Sequence, residues 1–243
     1  GWQPDIDHIK SLITPRTRAL VVIDPNNPTG AVYTNENRLA LLDLADKHNL
    51  VLISDEGYTD LAYNGRVPTL GSYNPDAPVI SFSSLSKAYL APGWRAGWMV
   101  FSGGARLDGV LAVVQGMADG RICTVGPMQF AITAALSGDK SHQETFLQEL
   151  RARADLTSRR LNAIKGISCV PPSAAFYALP KVDLPPGRTD KDYVLELLRT
   201  TGLLCVYGSG FGTVPTDGYF RIVYLAEPAE LNSYLDAIEA FTN

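Results

Sequence analysis

The sequence predicts an α/β fold, with a mostly parallel sheet in a large first part and a smaller α/β unit at the C-terminal end. Three observations carry this. Short apolar, β-branched runs alternate with amphipathic stretches over roughly the first hundred residues. The pattern becomes helical after Gly104. A second, shorter alternation of strand-like and helix-like segments begins at Ile167. The expected organisation is a large domain over 1–140, a connecting helix over 141–165 and a small domain over 166–243.

The strands come first. The run RALVVID (18–24) ends in a Pro/Asn turn, LVLISDE (50–56) is a second apolar run, APVISFSS (77–84) a third and WRAGWMVFS (94–102) a fourth. Between the first two, residues 35–49 place Leu39, Leu42 and Ala45 on one helical face, beside Leu41 and Leu44. Strand, helix, strand with buried strands is the pattern of βαβ units. In open α/β sheets ligands bind at the strand ends, where polar residues gather here. Helices are expected over 105–119, 126–137 and 142–164, the last with Phe146, Leu150, Ala154 and Leu161 on its apolar face. In the small domain, 173–182 and 218–225 read as strands, and 190–202 and 228–243 as helices, with Gly202 a helix stop.

Composition narrows the function classes. Hydrophobic residues make up 46% and charged residues 19%, the balance of an ordinary globular protein. The net charge of -4 gives no electrostatic reason to expect nucleic acid or an anionic membrane as partner. Arg151, Arg153, Arg159 and Arg160 have helical spacing and are expected on a solvated helix face. No apolar run approaches the ~20 residues needed to cross a bilayer. Cys123, Cys169 and Cys205 are far apart, without a CxxC pair or a histidine cluster, so they read as buried thiols in a reducing cytoplasm rather than metal ligands or disulfides.

Lys87 lies in SFSSLSKAYLAPGWRAG, after an apolar strand and a serine-rich turn. A lysine that forms a Schiff base must be partly desolvated so that its neutral amine is available. Ser84, Ser86 and Arg95 add hydroxyls and a guanidinium suited to a phosphate dianion. The lysine alone reads as a surface residue beside a turn; the spacing of the group brings the two readings level.

Asp55 ends the second strand, where a carboxylate is costly without a partner. A protonated pyridine nitrogen is one such partner, and an N-cap or a structural ion pair is the other reading. Tyr58, three residues on, either points its phenol into the same pocket or serves as a half-buried aromatic anchor. Asn27 sits in a turn stiffened by Pro25 and Pro28 and released by Gly30, and its amide suits a phenolate-like oxygen. Arg221 lies in the strand-like run YFRIVYL, where a buried guanidinium needs an anion such as a substrate carboxylate, and an exposed one is an edge-strand arginine. The glycines of YGSGFGT (207–213) have the wrong spacing for a dinucleotide loop and read as a loop shaping the pocket mouth.

Taken together, NNPTG, SDEGY, SxSK followed by GWRAGW, and FRIVYL, in that order, resemble the fold-type I aminotransferases of classes I and II. The likeness runs over essentially the whole chain and looks closest to the alanine/aspartate-aminotransferase-like branch. It implies the PLP-dependent transferase fold and the cofactor pyridoxal 5′-phosphate (PLP), held by Lys87 as a Schiff base. It further implies Asp55 on the pyridinium nitrogen, Asn27 and Tyr58 on the ring's phenolic oxygen, and Ser84, Ser86 and Arg95 on the phosphate. Arg221, with Asn27, would bind the substrate. The implied reaction moves an amino group between an L-amino acid and a 2-oxo acid, in a cytoplasmic homodimer.

Members of that family are much longer than 243 residues. The chain is therefore expected to be a fragment without the N-terminal part, with weak PLP binding, weak turnover and exposed surface that a longer chain would bury. Three alternatives share parts of the pattern. A C–S lyase, synthase or decarboxylase would use the same lysine, aspartate and phosphate grip. A non-catalytic module of the same fold would bind a ligand without turnover. A nucleotide-binding α/β protein would rest on GSGFG.

Overall fold

The computed structural model describes residues 1–123 and 125–242. The chain divides into two compact units, one of residues 3–25 and 32–144, the other of residues 1–2, 26–31 and 145–243.

In the first unit, helix α1 (Ile6–Leu12) precedes strand β1 (Ala19–Ile23), helix α2 (Asn35–Lys47) and strand β2 (Val51–Asp55). A single-turn helix α3 (Leu70–Tyr73) leads to strand β3 (Val79–Ser84) and strand β4 (Gly97–Phe101). Helices α4 (Asp108–Arg121) and α5 (Gly126–Ser137) follow. The strands form one sheet in the order β1-β2-β3-β4. The first two neighbouring pairs are parallel and β3 with β4 is antiparallel, so the sheet is mixed.

One face of the sheet makes the core. Val22, Leu52 and Val79 alternate inward along their strands and pack on Leu41, Leu42 and Ala45 of α2. Thr34 starts α2 by accepting a hydrogen bond from the Asn37 amide, the ordinary N-cap arrangement. Leu39 falls off the expected apolar face of α2 and is exposed, because the buried stripe runs through Leu41, Leu42, Leu44 and Ala45 instead. On the other sheet face Val21 is 69% exposed. Neither α4 nor α5 buries a residue fully, and Met117 and Phe130 stand open.

The second unit contains helix α6 (Ser141–Ala163) from Thr145 onward, and strands β5 (Ile167–Ser168), β6 (Tyr177–Ala178) and β7 (Lys181–Val182). Helix α7 (Asp190–Thr201), strand β8 (Val206–Tyr207), strand β9 (Phe220–Val223) and helix α8 (Pro228–Thr242) complete it. Asn243, the last residue of the helix expected over 228–243, lies outside the described residues. Strands β6, β9 and β8 form an antiparallel sheet in that order, and β5 pairs with β7. The strand expected over 173–182 is thus two short pieces, separated by Leu179 and Pro180. Helix α7 opens on a capping box between Thr189 and Asp192 and stops at Gly202, whose φ of 78° is the left-handed conformation glycine adopts freely.

Two expectations need correction. Arg153 is not on a solvated face: it is buried, pairs with Glu227 at 2.8 Å and donates to the Leu225 carbonyl. Arg160 pairs with Asp236 on α8. Only Arg151 and Arg159 of that group are exposed. Cys169 and Cys205 are buried, but Cys123 is exposed.

Candidate active site

The strand ends of the first unit gather most of the expected site residues. Asp55 is the last residue of β2 and lies opposite Phe82 of β3 in the parallel register. Its Oδ1 accepts the Gly57 amide at 3.1 Å, which fixes the carboxylate on the turn that leads to Tyr58. Tyr58 is buried. Ser84 closes β3 opposite Gly97, and its hydroxyl accepts the Ser86 amide at 3.2 Å. Three residues beyond Ser84, the Lys87 ammonium lies 5.6 Å from the centroid of the Tyr58 ring.

The turn that carries Lys87 is closed by its own backbone. Leu85 donates to the Ala96 carbonyl, Ala91 to that of Leu85 and Leu90 to that of Lys87. Leu85, Ala91 and Ala96 form a small apolar cluster against Met128 and Ile132 of α5. The lysine is therefore mounted on an anchored turn rather than a loose loop. Arg95 adopts the left-handed conformation, with φ at 53°, and donates to the Pro92 carbonyl.

Two adjoining clefts open on the sheet face that α2 leaves bare. One, of about 400 Å³, is lined by Ile23, Ile53, Asp55, Phe82, Ser83 and Ser84. The other, of about 930 Å³, shares Phe82 and Ser83 and includes Arg95. A carboxylate, serine hydroxyls and a guanidinium thus border adjoining space beside one apolar sheet face.

A residue that the sequence reading passed over underlies this arrangement. Glu56 follows Asp55 and points to the opposite, buried side. Its Oε1 accepts from Ser54 Oγ at 2.9 Å, Ser81 Oγ at 3.0 Å and the Leu70 amide at 2.8 Å. Strand alternation was the available signal: Leu52, Ser54 and Glu56 share the core face, so a carboxylate there demands partners.

Asn27 and Arg221 belong to the second unit. Arg221 Nη1 donates to Asn27 Oδ1 at 2.9 Å, which leaves the Asn27 amide nitrogen as a donor elsewhere. The turn bearing Asn27 is held to the segment before β6, because the Gly30 carbonyl accepts both the Ser173 and Ala174 amides. The Arg221 guanidinium carbon lies 4.8 Å from the Tyr177 ring centroid and 4.7 Å from that of Phe211. Its Nε is buried with no hydrogen-bond partner among the described residues. A separate cavity of about 330 Å³, between Leu204, Ile222, Leu231 and Ile238, has mainly apolar walls.

Residues 1–238 match the family model for aminotransferase class I and II. An alanine aminotransferase of Mycobacterium bovis is 39% identical over 99% of this chain and 57% of its own length. The glutamate-pyruvate aminotransferase AlaA of Escherichia coli K12 is 37% identical over 99% of this chain and 60% of its own. The chain therefore spans less than two thirds of the length of these relatives. Among solved structures, an alanine aminotransferase from Pyrococcus furiosus superposes with a TM-score of 0.95 at 40% identity, over 99% of this chain and 61% of that one. The aspartate aminotransferase from Rhizobium meliloti gives 0.86 at 33%, over 100% and 62%. The mixed sheet is that of these enzymes, and the chain belongs to the class I and II aminotransferase family.

Proposed function

We propose that this chain carries the cofactor-binding lysine of a PLP-dependent aminotransferase that moves an amino group between an L-amino acid and a 2-oxo acid, of alanine, aspartate or glutamate type. The observation that carries the reading is the placement of Lys87 just beyond β3, with Asp55 at the end of the neighbouring parallel strand β2. The names of the relatives, alanine and glutamate-pyruvate aminotransferase, favour small neutral and acidic amino acids.

The residues fit the cofactor. Asp55 is an acid beside a cleft of about 400 Å³, within the range of small-molecule sites. Serine hydroxyls border that cleft and Arg95 the adjoining one, a donor set for a dianion. Bound there, PLP supplies a carbonyl that condenses with amines and a ring that withdraws electrons from the substrate Cα.

Each residue then has a task. Asp55 would hold the proton on the ring nitrogen. Ser84, Ser86 and Arg95 would hold the phosphate. Tyr58 would hydrogen-bond the phenolic oxygen. Lys87 Nζ would act as general base and take the substrate Cα proton. Arg221, steadied by Asn27, would bind the substrate carboxylate in the plane of its guanidinium. Homodimer assembly and a cytoplasmic location belong to the same proposal, and three free cysteines suit a reducing compartment.

The test is a visible absorption spectrum with added PLP, before and after borohydride. A reduced pyridoxyl group mapped to Lys87 is expected, and one mapped to another lysine refutes the assignment. Pyruvate formation from L-alanine that requires an acceptor 2-oxo acid supports transamination. Ammonia release without an acceptor points to a lyase instead.

A further inference from the structure

The loop YGSGFGT takes no part in the chemistry above, yet it is built around Arg221. Val206 of β8 lies opposite Arg221 in the antiparallel register, and Tyr207 opposite Phe220. The chain leaves β8 one residue beyond the arginine's partner, makes a tight helical turn over Gly208–Phe211, and returns the Phe211 ring to the guanidinium. Tyr177 of β6, on the other side of β9 in the sheet, supplies a second ring.

The turn is tethered at its base. Asp190, the first residue of α7, is 1% exposed and accepts from both the hydroxyl and the amide of Ser209. The Gly208 amide donates to the Tyr219 carbonyl at 2.7 Å. A buried carboxylate with these bonds holds the turn, and with it Phe211, in one place.

Two aromatic rings near a guanidinium stabilise its charge and keep water from its faces. Hydrogen bonds are then left to its plane. One in-plane donor, Nη1, is used on Asn27. Nε is buried without an acceptor among the described residues, a condition that calls for a ligand to satisfy it. A carboxylate lying in the plane would do so.

We propose that Phe211 and Tyr177 are positioning residues that hold Arg221 edge-on for a carboxylate, and that Asp190 acts through Ser209 to set Phe211. This rests on the reading of Arg221 as the carboxylate-binding residue.

The experiment follows the Arg221 Nε–H resonance of the ¹⁵N-labelled 243-residue chain during titration with propionate. The resonance is identified by its loss in Arg221→Lys. It should move downfield and saturate as a charge-assisted hydrogen bond forms. Phe211→Leu keeps apolar bulk without the ring and should raise the half-saturating propionate concentration about fivefold to tenfold, the scale of a desolvated cation–π contact. Phe211→Tyr restores a ring and should stay within twofold of the unsubstituted chain. Asp190→Asn, which sets an amide nitrogen against one of the two Ser209 donors, should shift the midpoint in the same direction as Phe211→Leu. Unchanged midpoints in both Phe211→Leu and Asp190→Asn, or a resonance that propionate does not move, overturn the proposal. Propionate binding as expected together with a pyridoxyl adduct mapped to a lysine other than Lys87 refutes the cofactor reading and leaves this one standing.

Discussion

Glu56 Oε1 and Ser81 Oγ meet at 3.0 Å across the two central strands, one residue beyond the carboxylate of Asp55. The same oxygen receives Ser54 and the Leu70 amide, so a single buried atom ties β2, β3 and the start of α3 together. Glu56→Ala leaves three buried donors without an acceptor, and unsatisfied groups of this kind cost about 1–3 kcal/mol each without adding in full. A loss of about 3 kcal/mol is expected from urea unfolding. Glu56→Gln keeps an oxygen at the same position and should cost less than half of that; equal losses would show that the charge matters more than the acceptor.

Asp55 differs from its neighbour in being exposed, with its Oδ1 on the Gly57 amide. Little of the fold depends on that one bond. Asp55→Ala should change urea stability by less than about 1 kcal/mol, as surface substitutions usually do. Its PLP affinity should fall about tenfold to a hundredfold, the loss of a charge-assisted hydrogen bond worth about 1.5–3 kcal/mol. Urea unfolding of the apo chain measures the first effect, and titration of the cofactor absorption against the apo chain measures the second.

The contrast between these two residues marks what was legible in the sequence. Asp55 and Lys87 stand at strand ends in local motifs, so their positions follow from short-range pattern alone. Glu56 is equally local, but its role depends on Ser81 and Leu70, which only the strand pairing brings near. Strand β8 is two residues long and exists because Arg221 and Phe220 pair with it, so no periodicity could reveal it. The rings beside Arg221 come from residues 44 positions earlier and 10 earlier, a neighbourhood set by sheet order. Arg153 has the spacing of a solvated arginine and is buried because Leu225 and Glu227 fold back over it.

Gly30 is a point where the backbone leaves no room. Its φ is +69°, and a Cβ there would lie 2.5 Å from Pro172 Cβ and 2.6 Å from the Tyr177 carbonyl. Gly30→Ala must therefore strain the turn and push away the segment whose Ser173 and Ala174 amides donate to the Gly30 carbonyl. A destabilisation of about 2 kcal/mol or more is expected, since a left-handed conformation and a backbone clash act together. Because Asn27 rides on this turn, the Arg221 Nε–H resonance should shift in the same variant. A stable Gly30→Ala with an unmoved resonance would show that the turn relaxes without cost.

Alkaline pH provides a test of the second unit's core. Burial pushes the thiols of Cys169 and Cys205 and the phenol of Tyr193 up to about 12. In the unfolded chain the same groups titrate near their ordinary values of 9.0 and 10.0. Between these limits the folded state holds more protons than the unfolded state, so stability must fall as pH rises. The contribution is fully present below about pH 8 and is lost progressively from about pH 9 to about 12. Thermal melts should show a midpoint that declines over this window. Replacing Cys169 and Cys205 together by Ala removes two of the three linked groups and should flatten the decline, at the expense of stability at neutral pH from lost packing. Exposed Cys123 should be alkylated first at pH 8, with Cys169 and Cys205 protected until the unit opens. Simultaneous labelling of all three thiols in the native chain would contradict the burial on which this account depends.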